Sequence, residues 1–202
     1  MSDATIPATI EAIGITPLVM ANGAMAAADN EFSIQFAEIV SKGSKMTRED
    51  RHNKDLLQWR GHVYESGGRP VIPANNLNRC LQNAGKAFRL GPSVQRGVLI
   101  TDSEIPLDYK GPPDVRDLIN DEAFWWRTVA NLNPTRGLKG GKGTKVWPQF
   151  TKWGFTAHIT VIADAIDWED LLRVVEMAGS GEGICDARRL GKGRFAATVT
   201  RA

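Results

Sequence analysis

The stretch that decides the fold is GFTAHITVIADAIDWEDLLRVVEMAG, residues 154–179. Apolar side chains occupy every second position of its first half: Phe155, Ala157, Ile159, Val161 and Ala163. A period of two is typical of a strand with one buried face. Its second half has the spacing of a helix buried on one side, at Trp168, Leu171, Leu172 and Val175. We therefore predict a strand over 155–163, then a helix capped by Asp167 that ends at Gly179.

The same patterns predict further elements on either side of this stretch. Residues 5–20 are β-branched and apolar, which predicts an opening strand bent at Gly14. Residues 74–91 predict a helix that is capped by Asn75 or Asn76 and stopped by Gly91 and Pro92. Short strands are predicted over 97–101 and 124–132, and a closing strand over 195–200.

This order of elements is strand, helix, strand, repeated once. It predicts an α+β fold of the ferredoxin-like (RRM-like) kind, with two helices on one face of the sheet and the other face free for a ligand. A chain of 202 residues is expected to form one domain, 1–202. Three insertions are expected: a basic segment at 42–60, exposed or mobile; an acidic segment at 102–122, irregular because of its prolines; and an aromatic, basic hairpin or thumb at 124–153.

Composition excludes several classes of protein. No run approaches the roughly 18 apolar residues of a membrane span, so no membrane insertion is expected. Cys80 and Cys185 lie far apart, and no signal-peptide pattern is present, which indicates a cytoplasmic protein (host cytoplasm if phage-encoded) without a disulfide framework. The histidines and cysteines show no ligand spacing, so we predict no metal and no cofactor; Cys80 is expected to be a buried structural thiol.

Charge is sorted by region along the chain. Residues 123–163 contain six basic side chains, four of the six tryptophans and neither Asp nor Glu. Cations neutralise phosphates and flat aromatic faces stack with unpaired bases, so this composition favours single-stranded nucleic acid. A second run, GSGEGICDARRLGKGRF at 179–195, combines basic side chains with glycines that allow a phosphate close to the backbone.

Candidate contact residues follow from these runs. Phosphate contacts are assigned to Arg136, Lys139, Lys142, Lys145, Arg188, Arg189, Lys192 and Arg194, and a second clamp to Lys42, Lys45, Arg48 and Arg51. Trp126 and Trp147 are the stacking candidates. The loop 136–145 is not a Walker A loop, because Gly143 separates Lys142 from Thr144. A solvated hairpin tip and a glycine turn with surface arginines are the structural alternatives for the two runs.

Two features carry a family resemblance. Ile72 and Pro73 lead directly into the predicted helix (IPANNLNRCLQNAGKAF, 72–88), and Gly181-Glu-Gly183 is followed by Gly191-Lys-Gly193. These features resemble the RAMP superfamily, in particular the guide-RNA-binding backbone subunits of CRISPR effector complexes. The resemblance implies a modified RNA-recognition fold that polymerises along a strand, with residues 136–145 as a thumb pressing on nucleic acid held by the next subunit. The chain also resembles small uncharacterised proteins of tailed phages.

The sequence thus predicts a non-enzymatic protein that binds single-stranded RNA or DNA with low sequence specificity. A side-by-side homo-oligomer or filament is expected, with other effector-complex subunits as further partners. The alternative is a phage virion or scaffold-type assembly protein, whose basic loops meet the acidic 102–122 segment of a neighbour. A third interpretation is a magnesium-dependent nuclease that uses Asp114, Asp117 or Asp121.

Overall fold

A computed structural model describes residues 5–131 and 142–202, apart from the side chains of residues 130, 131 and 142. Its strands are β1 Thr5–Gly14, β2 Leu18–Val19, β3 Glu65–Ser66, β4 Arg69–Pro73, β5 Val98–Ile100, β6 Glu104–Tyr109, β7 Trp125–Asn131, β8 Lys142–Phe150, β9 Trp153–Ile162 and β10 Phe195–Arg201. Its helices are α1 Glu31–Ser41, α2 Arg48–His62, α3 Ala74–Lys86, α4 Gly91–Gly97, α5 Val115–Leu118 and α6 Trp168–Met177. No helix in the described ranges is long and apolar enough to cross a membrane.

The main sheet has the predicted ferredoxin-like order. Strands run β10-β1-β9, and β5 pairs with the far side of β9. All of these pairs are antiparallel; Ile10 of β1, for example, lies between Ala157 of β9 and Val199 of β10. Helices α3 and α6 pack against the same face through Leu77, Leu81, Leu171 and Val175, which are buried. The fold class is therefore α+β, as the alternating strand and the two helices of the sequence indicate.

The acidic segment is not irregular, contrary to expectation. Residues 104–109 form β6, which pairs with β4 over one half and with β9 over the other. Ile105 and Leu107 are buried and alternate with exposed residues, so the spacing typical of a strand was present in this acidic sequence. Pro106 lies where pairing passes from β4 to β9, and a residue without an N–H costs least at such a point.

The basic segment 42–60 is also more ordered than expected. Most of it forms α2, which begins at a capping box in which Thr47 and Asp50 bond to each other's backbone N–H groups. Trp59 has no exposed surface, and its indole N–H donates to the carbonyl oxygen of Phe124 at 2.9 Å. The helix is polar almost throughout, and a single buried tryptophan produces no apolar period for sequence analysis to detect.

Several boundaries differ from the predictions. The opening strand ends at Gly14, where a β-carbon would overlap the Trp153 indole, and residues 18–19 cross into a second sheet.

The ends of the predicted helices also differ. Helix α3 begins directly after Pro73, so neither Asn75 nor Asn76 caps it. Gly91 begins α4 instead of ending α3, since proline is well suited to the first turn of a helix. Asp167 precedes α6 without a side-chain capping bond, and a π-helical turn at Ala178–Glu182 follows that helix.

A second, three-stranded sheet of order β2-β8-β7 stands beside the main sheet. Its hairpin, β7 and β8, is part of the predicted 124–153 insertion. Helix α2 packs against this hairpin, and the buried Gln58 accepts the Val146 N–H through its side-chain oxygen at 3.2 Å. The second sheet places the tryptophans of the hairpin next to the glycine-rich segment that precedes β10.

Candidate nucleic-acid interface

The open face of the main sheet is exposed but carries no cation. Its outward-facing residues in β1, β9 and β10 are Thr9, Glu11, Ile13, Thr156, His158, Thr160, Ala196, Thr198 and Thr200. His158 is the one residue among them with an aromatic ring on which a base could stack. Its Nδ1 lies 3.1 Å from a carboxylate oxygen of Asp102, which holds the ring in place. The face predicted to be free for a ligand is therefore uncovered, but its chemistry does not suit a phosphate backbone.

The four tryptophans of the segment 124–153 divide into two buried and two accessible residues. Trp125 and Trp153 are buried and donate their indole N–H groups to the carbonyl oxygens of Ile119 and Thr16. Trp126 and Trp147 are half-buried and directly opposite each other in the ladder, with ring centroids 5.0 Å apart. The predicted stacking pair is thus the pair that remains open to solvent.

Lys192 links the glycine-rich segment to this aromatic pair. Its Nζ lies 5.6 Å from the Trp126 ring centroid and 3.4 Å from the side-chain oxygen of Gln149. A cation at this distance interacts favourably with the indole face. The predicted central and C-terminal cationic regions therefore meet at Trp126.

The paired glycines close the loop between α6 and β10 upon itself. The Ile184 N–H donates to the Gly193 carbonyl at 2.9 Å, and Gly183, Gly191 and Gly193 all have positive φ. A β-carbon at position 193 would overlap the Ile184 backbone, and one at 183 would lie 3.0 Å from the Lys192 carbonyl oxygen. Gly183 and Gly193, one from each pair, allow this close approach of backbone to backbone, whereas a β-carbon at Gly191 would meet nothing within 4 Å. Cys80 of α3, which is buried as expected, donates its thiol hydrogen to the Gly183 carbonyl at 3.1 Å.

Three arginines from this loop share a cleft, which we call the arginine cleft, of about 370 Å³ with Asn83 and Glu182. Arg188 pairs with Glu182 at 2.5 Å, whereas Arg189 is exposed. Among the residues that the structure describes, the Nη1 atom of Arg194 has no hydrogen-bond partner, and it is buried. A buried guanidinium donor normally has an acceptor, because leaving it unpaired costs free energy.

The polar side of α3 adds residues that sequence reasoning missed. Asn76 and Arg79 line a second, smaller cleft of about 180 Å³ together with Arg188, and Asn83 borders the arginine cleft. Positions 76, 79 and 83 follow helical spacing on the side opposite the predicted apolar face. That spacing was the available signal, but it could not show that the loop 183–194 lies across this side of the helix.

His62 is a second missed residue. It is the last residue of α2, its ring centroid lies 6.1 Å from that of Trp147, and its Nδ1 donates to the Gln58 carbonyl at 2.6 Å. Burial lowers the pKa of His62 below its ordinary 6.5, against the opposing effects of that hydrogen bond and of Asp186. The ring is therefore neutral in the folded protein near neutral pH.

This pKa makes the stability of the folded chain depend on pH. Between the lowered folded-state pKa and 6.5, the unfolded chain binds a proton at His62 that the folded chain does not. The contribution of the neutral ring is complete above pH 6.5 and is lost as the pH falls below it. In urea unfolding from about pH 8 to pH 5, we expect the stability difference between wild type and His62→Gln to shrink towards acid. A constant difference over this range would contradict this expectation.

The remaining predicted contact residues are dispersed. Arg136, Lys139 and most of the predicted thumb lie outside the described residues; Lys142 lies on β8, and Lys145 on β8 is half-buried. Lys42, Lys45, Arg48 and Arg51 are exposed on or beside α2. Lys42 bonds to Asp50 at 2.5 Å and, together with the Thr47 N–H, lowers the pKa of Asp50 to about 2. The side chains of this second cluster are exposed to solvent. No contact among the described residues connects the cluster to the arginine cleft.

The carboxylates proposed for a nuclease have local structural contacts. Asp114 caps α5 and bonds to the Arg116 guanidinium, which lowers the pKa of Asp114 to about 2. Asp121 accepts from the Ala123 N–H at the next helical turn. Within residues 5–131 and 142–202, no group of three or more His, Cys, Asp or Glu side chains is arranged to hold a metal ion.

The fold is α+β, and the basic side chains of the loop between α6 and β10 lie beside the second sheet. No protein-family profile matches the chain. No curated protein sequence matches it. A chain in the cryo-EM structure of the Type III-B Cmr-beta complex bound to cognate target RNA is similar in fold, with a TM-score of 0.54 and 10% sequence identity. The likeness covers 98% of this chain but only 61% of that chain. At this identity the likeness concerns the fold alone, and it does not bear on the resemblance to phage proteins.

Proposed function

We propose that this chain binds single-stranded nucleic acid with low sequence specificity, without catalysis, as a subunit of a larger assembly. The observation that carries the proposal is the convergence of the Arg188, Arg189 and Arg194 side chains on one cleft. Phosphate oxygens are acceptors that suit guanidinium groups in both geometry and charge. The fold likeness to a chain of an RNA-bound complex supports the same interpretation.

Base contacts are assigned to the two accessible tryptophans. Lys192 lies two residues from Arg194 in the chain and above the Trp126 ring, so a strand whose phosphate sits at the arginines passes next to Trp126 and Trp147. Stacking on indole is tolerant of sequence, because every base has a flat face. Low specificity follows from contacts of these two kinds.

Assembly is the second part of the proposal. The open sheet face exposes 73% of Ile13, next to Glu11, and Leu99 at its edge is 60% exposed. Exposed apolar side chains beside acidic ones suit contact with a basic surface of another subunit, whether a second copy or a different protein. The structural-assembly alternative rests on this same surface, without nucleic acid.

Fluorescence anisotropy with labelled oligo(rU) tests the nucleic-acid part. For six or more phosphate contacts, raising the salt from about 50 to 200 mM is expected to weaken wild-type binding about 300-fold. Replacing both Trp126 and Trp147 by alanine is expected to weaken binding about tenfold or more at every salt concentration. The salt dependence itself stays unchanged, because stacking releases no counterions.

The matched control is Trp168→Ala. Trp168 is also half-buried and lies under the Arg201 guanidinium at 4.4 Å, on α6, away from the hairpin. Its removal should leave oligo(rU) affinity unchanged. Binding that ignores salt, or self-assembly of the pure protein that retains no oligonucleotide, would reject the proposal in favour of the structural-assembly alternative.

A further inference from the structure

A cleft of about 660 Å³ lies between helices α1 and α2 and strand β8. Phe36 and Val40 of α1 form one wall, and Lys54, Gln58 and His62 of α2 form the floor. The other wall is the segment 143–147 of β8. The arginine cleft and the proposed nucleic-acid contacts do not use most of these residues.

The β8 wall is an unpaired strand edge. On its β2 side, β8 pairs only at Gln149 and Phe150, and the Pro148 carbonyl accepts from the Met20 N–H at 3.0 Å. Peptide groups of alternate residues point to the same side of a strand. The peptide groups of Val146 and Thr144 therefore also point away from β7, and within the described part of the chain no strand pairs with them. Gln58 of α2 already occupies the Val146 N–H, so among the described residues the Thr144 N–H is the donor that this edge offers to an added strand.

The opposite wall is an apolar helix that the fold leaves uncovered. Six of the eleven residues of α1 are apolar, yet none is buried. Ile34 and Val40 remain 47% and 43% exposed. Met25 and Met46, which flank α1 in the chain, also line the cleft, and thioether side chains adapt to varied partners. A cluster of this kind is typical of an interaction site.

The charges in the cleft select the kind of partner. Lys145 lines it together with Lys54, whose Nζ lies 3.5 Å from a carboxylate oxygen of Asp55, and no Asp or Glu lines the cleft among the described residues. An occupant complementary to the cleft is extended, offers backbone donors and acceptors to β8, and alternates apolar with acidic side chains. A nucleic acid strand meets the charge requirement but cannot complete a strand ladder.

We propose that this cleft docks an extended, acidic segment of a partner protein, which adds as a strand to the free edge of β8. Apolar side chains of the segment pack between Phe36, Val40 and the methionines, and acidic side chains meet Lys54 and Lys145. This proposal does not rest on nucleic-acid binding, and either one can fail without the other.

The test is selection of a random peptide display library on the purified full chain. We expect enriched peptides to alternate acidic and apolar residues. Two methylated forms of the selected peptide are compared, one with N-methyl groups at its odd-numbered residues and one with them at its even-numbered residues. One form should lose binding and the other should bind as the unmodified peptide, since only one row of N–H groups faces β8. Charge reversal of both Lys54 and Lys145 to glutamate should switch the selection from acidic to basic peptides.

Thr144→Pro removes the edge N–H and should weaken the selected peptide about tenfold. Position 144 lies an even number of residues from Pro148 on the same strand, so its N–H also points away from β7. Proline at this position therefore removes no bond to β7. The control Thr144→Val keeps the N–H and should bind as wild type. Circular dichroism of each variant verifies the fold. No enriched peptide, or equal binding by Thr144→Pro and Thr144→Val, would overturn the proposal. Because Trp147 borders the cleft and is also a proposed stacking residue, displacement by oligo(rU) is tested on the variant that lacks Arg188, Arg189 and Arg194. Displacement of the peptide from that variant would assign the cleft to nucleic acid and would also overturn the proposal.

Discussion

Replacing Arg188, Arg189 and Arg194 together by glutamine is expected to weaken the binding of single-stranded RNA about 100-fold at 0.1 M salt. Each lost phosphate contact lowers the slope of log K against log salt by about 0.7 for a single strand, so three contacts lower it by about 2. The physical reason is that three guanidinium groups no longer release the counterions of the strand. Anisotropy titrations at several salt concentrations measure both the affinity and the slope.

The matched control removes three arginines elsewhere. Arg89, Arg96 and Arg173 are exposed or partly exposed around the C-terminal end of α3, and their replacement by glutamine makes the same change in net charge. If both triple variants lose affinity equally, net charge and not the arginine cleft controls binding. Single replacement of Arg194 by lysine adds a sharper test, because lysine keeps the charge but not the planar donor set of guanidinium; a loss of affinity is expected.

Trp59→Ala is expected to lower the free energy of unfolding by about 3–5 kcal/mol. Trp59 is fully buried between α2 and the second sheet, and its removal leaves both a cavity and an unpaired Phe124 carbonyl. Helix α2 is polar and has few other apolar contacts, so its attachment to the hairpin depends on this residue. Urea denaturation followed by circular dichroism measures the change.

Two further variants separate the causes of this loss. Trp59→Phe keeps much of the packing but loses the indole N–H, so a smaller loss than that of the alanine variant is expected. Trp168→Ala removes a half-buried indole of the same size and should cost less than Trp59→Ala. A cost for Trp59→Ala near zero would mean that α2 is not anchored here and that the expected mobile insertion was the better description of residues 42–60.

The fold alone does not decide between a binder and an enzyme, because ferredoxin-like sheets support both. What favours nucleic acid is chemistry outside the open sheet face. In this chain the sheet face holds threonines and acids, and the cations lie on the loop between α6 and β10 beside the second sheet. The proposed ligand position at that edge borders elements of both sheets.

Sequence patterns predicted the elements with strong periodicity. Strand β9, helix α6 and strand β10 follow their predicted ranges closely, because one buried face imposes a regular spacing on apolar residues. Helix α3 begins where predicted but ends at Lys86, before the predicted stop at Gly91. Patterns failed where charge concealed a sparse signal, as in β6 and α2. Both elements are held by few buried residues, Ile105 and Leu107 in one and Trp59 in the other, and net charge says little about such anchors.

The candidate site divides in the same way. Residue types singled out Trp126, Trp147, Lys192 and the loop arginines as candidates, because base stacking and phosphate contact require side chains of these kinds; their role stays a prediction. Asn76, Arg79, Asn83 and His62 were missed, since their relevance depends only on what lies opposite them.

The sequence by itself determined the α+β class, the order of the central strands and helices, and the chemistry of the cationic loops, since these follow from local spacing and residue type. Only the tertiary structure decided that two of the four tryptophans at 124–153 are buried and two accessible, that Lys192 lies over Trp126, and that one guanidinium nitrogen of Arg194 is buried without a partner among the described residues. Burial and unpaired donors depend on contacts between residues far apart in the chain, and no local pattern records which of those contacts form.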